Sequence, residues 1–343
     1  MKINPKILHL IAFTLILSGC QKVPSLSPYD YAISELNYGD EPENIVFYPR
    51  AINDEETIVG IGYHAQLGFP LIYRQNAMVE MTGMSNDVVL AYDINNTGAF
   101  VGNTWATGHA FLHSDEGIIN INDFVDTSQF SSSVAWGINN HNEFVGGLYT
   151  STSPSTAVPF VFENQSVSTI DVCSSEMTSG VALEINDNGS IVGFCISNNF
   201  QQDFTFVRYQ GETRVLAFEG LNNVVGMDIN DHDVMVGSYT TSDNEVHGFT
   251  FNLQNEEFKD LGAFGGYVMM DINNQGVVII TGEKDNSIYH PQSGLKKLED
   301  IVDLSAWSSI QDINGLNEKG QIVGNGFTAD GQKRGFILNP LKP

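Results

Sequence analysis

The sequence predicts an all-β protein, a seven-bladed β-propeller of four-stranded blades whose ring is closed by an N-terminal strand. Three observations predict it. One short pattern occurs seven times, its copies are evenly spaced, and the stretches between copies alternate as strands do rather than with the 3.6-residue period of helices.

The pattern reads Ile-Asn (Leu-Asn in the last copy), two variable residues, a turn residue, one more residue, an apolar pair and Gly. It runs from Ile52-Asn53 to Gly60 in the first copy. The Asn is present in every copy, at Asn53, Asn95, Asn139, Asn186, Asn230, Asn273 and Asn317, and these define repeat units one to seven. Successive Asn residues lie 42, 44, 47, 44, 43 and 44 positions apart. That length suits four short strands with their loops, and it leaves no room for a second domain of ordinary size.

Asn caps tight turns through its short side chain, and a residue three later often needs a positive φ. That later position holds Gly98, Asn142, Gly189, Asp233, Gly276 and Gly320, all tolerant of the left-handed region. Glu56 in the first unit departs from the set, so a different turn is expected there. Strand-like runs flank each turn, as in Val88 to Ile94 and Phe100 to Trp105. The Gly that ends the apolar pair sits inside a strand, which requires another backbone close by; convergence of blades near the axis would supply it. Ile280 breaks this rule in the sixth unit.

A second hairpin follows in each unit. Its first strand is aromatic or branched, as in His109-Ala110-Phe111-Leu112, Pro159-Phe160-Val161-Phe162 and Gly335-Phe336-Ile337-Leu338. Pro70 to Tyr73 and Ser287 to His290 are its weaker members. The seventh unit ends after three strands, while Tyr29 to Leu36 reads as a strand with no hairpin partner. Pairing the two would close the ring and hide sheet edges.

Ahead of the repeats, residues 1–19 read as a signal peptide: Lys2 and Lys6, then an apolar run from Ile7 to Leu17, too short to span a bilayer. Leu17-Ser18-Gly19-Cys20 resembles a bacterial lipobox, which implies lipid attachment at Cys20 and a membrane partner held through that anchor. Residues 20–28 form the lipidated cysteine and its tether, and 29–343 the repeat domain. Gln21 in place of an Asp favours the outer membrane as the site of anchoring in the bacterial cell envelope. Cys173 and Cys195 remain, and an oxidising compartment allows them a disulfide; two separate buried thiols are the alternative.

Charge excludes one class of partner. Against 15 Lys and Arg stand 41 Asp and Glu, a net charge of −26. Such a surface repels phosphate backbones, so no nucleic-acid partner is expected.

With the hairpins laid out, Asp93-Ile94-Asn95-Asn96-Thr97-Gly98-Ala99-Phe100-Val101-Gly102 followed by His109-Ala110-Phe111-Leu112 resembles the HAF repeat family of predicted extracellular β-repeat proteins. The resemblance spans nearly all of the chain after the leader. It implies export and a β-repeat fold, and it brings no catalytic residue.

Chemistry on the scaffold is sparse. The residue two before the Asn is Asp93, Glu184, Asp228 or Asp271 in four units, and Ala51, Gly137 or Gly315 in the others. If those acids face a central channel they could hold Ca²⁺; otherwise they cap turns or face water. Glu184 to Gly189 starts like a calcium loop but lacks its closing Glu. His109 and His113 are too far apart along a strand to share an ion. Trp105, Trp136 and Trp307 either line a sugar-binding surface or pack between blades. No nucleophile elbow, zinc motif or phosphate loop occurs. The expectation is therefore a surface- or periplasm-exposed lipoprotein that acts as a binding or scaffold module for a protein or polysaccharide. The alternative is a glycan hydrolase or lyase using acids in the central channel.

Overall fold

The structure, a computed structural model, describes residues 30–36, 45–64, 67–75, 77–80, 89–105, 107–152, 156–173, 177–197 and 202–341. The leader, Cys20 and the tether lie outside them.

The local turn chemistry is uniform. In each unit the Asn N–H donates to the carbonyl four residues on, and the N–H of the third residue on returns to the Asn carbonyl. The residue in that third position takes a φ between 57° and 83° in all seven units. Glu56, at 61°, adopts the same turn, contrary to expectation. The capped turn outweighs the left-handed strain that a residue with a Cβ must bear there.

Around these turns the units fold as antiparallel sheets. The second unit runs Val89–Ile94, Phe100–Thr104, Ala110–Ser114 and Gly117–Asn120, each strand bonded to the next. The other units repeat this order, and a single parallel bridge, Phe204 to Val224, links the fourth to the fifth. In the last unit Trp307–Leu316, Ile322–Thr328 and Lys333–Pro340 take Tyr31–Glu35 as their fourth strand, in antiparallel register from Tyr31↔Pro340 to Glu35↔Phe336. Arg334 and Glu35 pair across that junction at 2.9 Å. Among the described residues helix is confined to Leu298–Ile301 and a 3₁₀ turn at Ile121–Asp123, and none is long and apolar enough to cross a membrane.

The cores lie between units rather than inside them. Val101, Ala110 and Leu112 of the second unit pack on Ala135, Ile138 and Phe144 of the third. Val323 and Ile337 of the last unit pack on Phe47, Ile52 and Ile58 of the first. A lone sheet of this pattern leaves an apolar face uncovered, so each unit is stable only against its neighbours.

Five of the six conserved-position glycines face a phenylalanine directly across the sheet: Gly102↔Phe111, Gly146↔Phe160, Gly193↔Phe206, Gly237↔Phe249 and Gly324↔Phe336. In the first unit Gly60 faces Leu71. Each Phe is buried, and such burial stabilises by roughly 2–3 kcal/mol. The close backbone is not that of a converging neighbour, as expected, but the unit's own innermost strand. A Cβ on Gly102 would lie 1.8 Å from the Leu90 carbonyl oxygen, and one on Gly146 would lie 1.9 Å from that of Val134. The close carbonyl goes with a β-bulge, between Ala91 and Asp93 in the second unit and at the matching place in the first, third, fourth, fifth and seventh. The sixth unit has no bulge there, and it carries Ile280 opposite Ser287. Its two departures from the pattern are thus cross-strand neighbours: the larger residue has moved to the other strand, which keeps the filled volume similar.

Candidate functional site

Two closed circuits of hydrogen bonds tie the turns together. Each turn Asn accepts, through its side-chain oxygen, backbone N–H groups of its own turn, and donates its amide to the carbonyl of the next unit's Asn. The series runs from Asn53 through Asn95, Asn139, Asn186, Asn230, Asn273 and Asn317, and the last amide donates to the Asn53 carbonyl at 3.0 Å. A second circuit uses the following residue. The Asp54 N–H donates to Asn96, that of Asn96 to Asn140, and so on through Asp187, Asp231, Asn274 and Glu318 back to Asp54. Sequence reading treated this position as variable. Its signal was the restriction to Asp, Asn or Glu, the side chains able to accept from a backbone N–H across a gap.

Inside the circuits lies a cavity of about 590 Å³. The four acids singled out from the sequence line it, and their oxygens are engaged. Asp93 accepts from its own unit at Ile94 N (2.8 Å) and from the next at Ile138 N (2.9 Å). Asp228 does the same with Ile229 and Ile272, both at 2.6 Å. Asp271 accepts from Leu316 of the last unit at 2.9 Å. Glu184 accepts from Ile185 and leans over Gly137 of the preceding unit, where an added Cβ would meet it at 2.4 Å. The three aspartates neither cap turns nor simply face water; they latch successive units, while Glu184 bonds only within its own. Units that lack one, with Gly137 or Gly315, receive the carboxylate of the unit before.

Enclosure raises these carboxyls. Burial, then the charge of Asp228, pushes Asp93 up to about 7 against the pull of two backbone N–H groups. Burial and the neighbouring acids hold Glu184 and Asp271 well above the carboxylate range, and burial raises Asp228. Among the described residues, no group of three or more His, Cys, Asp and Glu is arranged to hold a metal ion. The calcium reading therefore gains no support from the geometry.

Above the acids the cavity wall changes character. A bulge turns its extra residue out of the pleat and re-aims it. At the bulge nearest the turn, the residues skipped in the register are Arg50, Tyr92, Trp136, Leu183, Met227 and Asn314, one from each bulged unit, and every one lines the cavity. The unbulged sixth unit supplies Met269, 45% exposed. Tyr92 and Trp136 meet with ring centroids 4.5 Å apart. Arg50 is exposed, is the only basic residue in the lining, and has no ion-pair partner among the described residues. Sequence analysis named only Trp136 of this layer. The six residues share no chemistry, and a bulge is invisible until the two strands are paired.

The other tryptophans differ. Trp307 is buried edge-on against Phe336, and Trp105 stands at the surface, 70% exposed. His113 stacks on Phe100, and burial lowers its pKa. Cys173 and Cys195 are joined by a disulfide with Cα atoms 5.7 Å apart. Gly180 lies under it, where a Cβ would come within 2.5 Å of the Cys173 sulfur.

No protein-family model matches the chain. No curated protein matches it either. Solved structures do. An oligogalacturonate lyase in complex with manganese superposes with a TM-score of 0.62 at 9% identity, over 90% of this chain and 93% of that one. The β-propeller domain of the Trilobed protease from Pyrococcus furiosus gives 0.55 at 13% identity, over 88% and 97%. Virginiamycin B lyase from Staphylococcus aureus gives 0.55 at 8%, over 90% and 99%. At these identities the likeness shows the fold, a β-propeller, and nothing of activity.

Proposed function

We propose that the chain is an exported lipoprotein whose seven-bladed propeller, closed by its N-terminal strand, works as a binding module for a protein or polysaccharide partner. One observation carries the reading. Positions that build the frame are repeated from unit to unit, whereas the layer facing the common cavity changes around the ring, from Asn314 and Arg50 through Tyr92 and Trp136 to Leu183, Met227 and Met269. Packing demands sameness of equivalent positions; recognition demands difference, and a concave site with a few convergent polar groups is where it is found. The strand pairing of Tyr31–Glu35 and the return of both hydrogen-bond circuits to the first unit support closure. The Leu17 to Cys20 motif and the HAF-like hairpins support export and anchoring in the bacterial outer membrane.

An enzymatic reading, a hydrolase or lyase on glycans, has one observation in its favour: carboxyls that keep their protons near neutral pH are suited to general-acid work. Their oxygens are tied to backbone N–H groups, which favours the latch role instead. A glycan array and an envelope-protein binding screen with the purified soluble domain test the first reading, beside a panel of hydrolase and lyase substrates. Turnover that disappears in Asp228→Ala, with the fold intact, rejects the binding module. For the anchor, Cys20→Ser is expected to move the protein from membranes to the soluble fraction; continued membrane partitioning rejects it.

A further inference from the structure

We infer that the channel mouth selects a small ligand carrying one carboxylate on a ring, with the carboxylate on Arg50 and the ring against Tyr92 and Trp136. The inference rests on the channel being the binding site and names what it takes.

The bulge layer is two-sided. Asn314, Arg50, Tyr92 and Trp136 come from consecutive units, the last through the third, and form a polar and aromatic arc. Leu183, Met227 and Met269, from the fourth through the sixth, form an apolar arc opposite. Arg50 lies at the centre of the first arc. It lies between Asn314 of the last unit, whose amide donates to the Pro49 carbonyl at 2.9 Å, and Tyr92 of the second. A guanidinium with free donors matches a carboxylate through two parallel hydrogen bonds, a geometry an ammonium cannot copy. Trp136 lines the same wall with its ring, its indole N–H being shielded from solvent.

The surroundings restrict the anion. With a net charge of −26, a polyanion meets repulsion over its whole length, whereas one compact charge is met by Arg50 at short range. Aromatic walls accept either a sugar's C–H face or a flat aromatic ring. The shared chemistry is a ring monocarboxylate, and its two sources are an acidic monosaccharide unit and an aromatic acid.

Titration calorimetry and tryptophan fluorescence on the soluble domain, with D-glucuronate in one arm and 4-hydroxybenzoate in the other, read the two sources apart. D-Glucose and 4-hydroxybenzamide serve as uncharged controls. The expected result is saturable binding in one arm, with quenching that is lost in Trp136→Phe and affinity at least tenfold weaker in Arg50→Gln, while the matching control does not bind. Arg50 is exposed and unpaired, so Arg50→Gln should unfold at the same urea concentration as the parent. Silence in both arms overturns the inference, as does binding unchanged in Arg50→Gln. A partner from the array that binds Arg50→Gln as well as the parent leaves the binding module standing and removes this ligand class alone.

Discussion

Replacing Asn95 by Ala probes the element on which the whole arrangement turns. The side chain, 5% exposed, accepts from the N–H groups of Thr97 (3.1 Å) and Ala99 (3.0 Å) and from the Thr97 hydroxyl. It donates to the Asn139 carbonyl and to the Asn142 side chain, both at 2.8 Å. These bonds differ in worth. Water can replace the partners of Thr97 and Asn142, which lie near the surface. The Asn139 carbonyl keeps the N–H of Asn142. The Ala99 N–H is different: Ala99 is 2% exposed and no water reaches it. Orphaning that donor costs about 1–3 kcal/mol, and each remaining net loss costs about 0.5–1. Asn95→Ala should therefore destabilise by roughly 3–7 kcal/mol. Asn95→Asp keeps both backbone acceptors and loses the two amide donations to the third unit, so roughly 1–2 kcal/mol is expected. Urea unfolding followed by tryptophan fluorescence and far-UV circular dichroism measures both. A loss below about 1 kcal/mol for the Ala variant, or equal losses for the two, would refute the division into a turn function and an inter-unit function.

Three further outcomes are expected. Ile280→Gly should cost about 3–5 kcal/mol through its cavity, and Ser287→Phe about 1–3 through overpacking, while the double variant recovers at least about 2 kcal/mol of their sum; additive urea-unfolding energies would sink the compensation argument. Glu56→Gly should stabilise by up to about 1 kcal/mol, because a Cβ at φ 61° is strained and the 3.6 Å contact of Glu56 with Lys319 is exposed; a lower unfolding temperature contradicts that. The third concerns pH. Asp93, Glu184 and Asp271 have folded pKa values raised above their unfolded ones, so their contribution is fully present below pH ~4 and is lost as pH rises through the folded values, near 7 for Asp93. Stability should fall between pH 5 and 8, and Asp93→Asn should flatten part of that slope; stability rising over this range would show the latches to be ionised in the folded state.

What the sequence determined by itself was whatever local chemistry decides. Asn at the turn, a left-handed residue three later and a Gly in the following strand are demands made by a few neighbouring atoms, so each copy writes them out again, and counting the copies reveals the repeat. Part of the exception was legible: Ile280 broke the pattern and the run from Ser287 to His290 read as a weak strand, before anything showed that Ile280 and Ser287 face each other. Glu56 misled because a conformational preference of about 1 kcal/mol is small beside the bonds of a capped turn. Tertiary structure alone decided the rest. A bulge is a relation between two strands, so no single run of residues announces that Arg50, Tyr92 and Trp136 leave the pleat for a common cavity. The acids at Asp93, Glu184, Asp228 and Asp271 were visible, but the work of the three aspartates as latches depends on the N–H of a residue 44 or 45 positions further on. Hydrogen bonding within a turn is short-ranged in sequence, whereas a channel exists only where separate units meet.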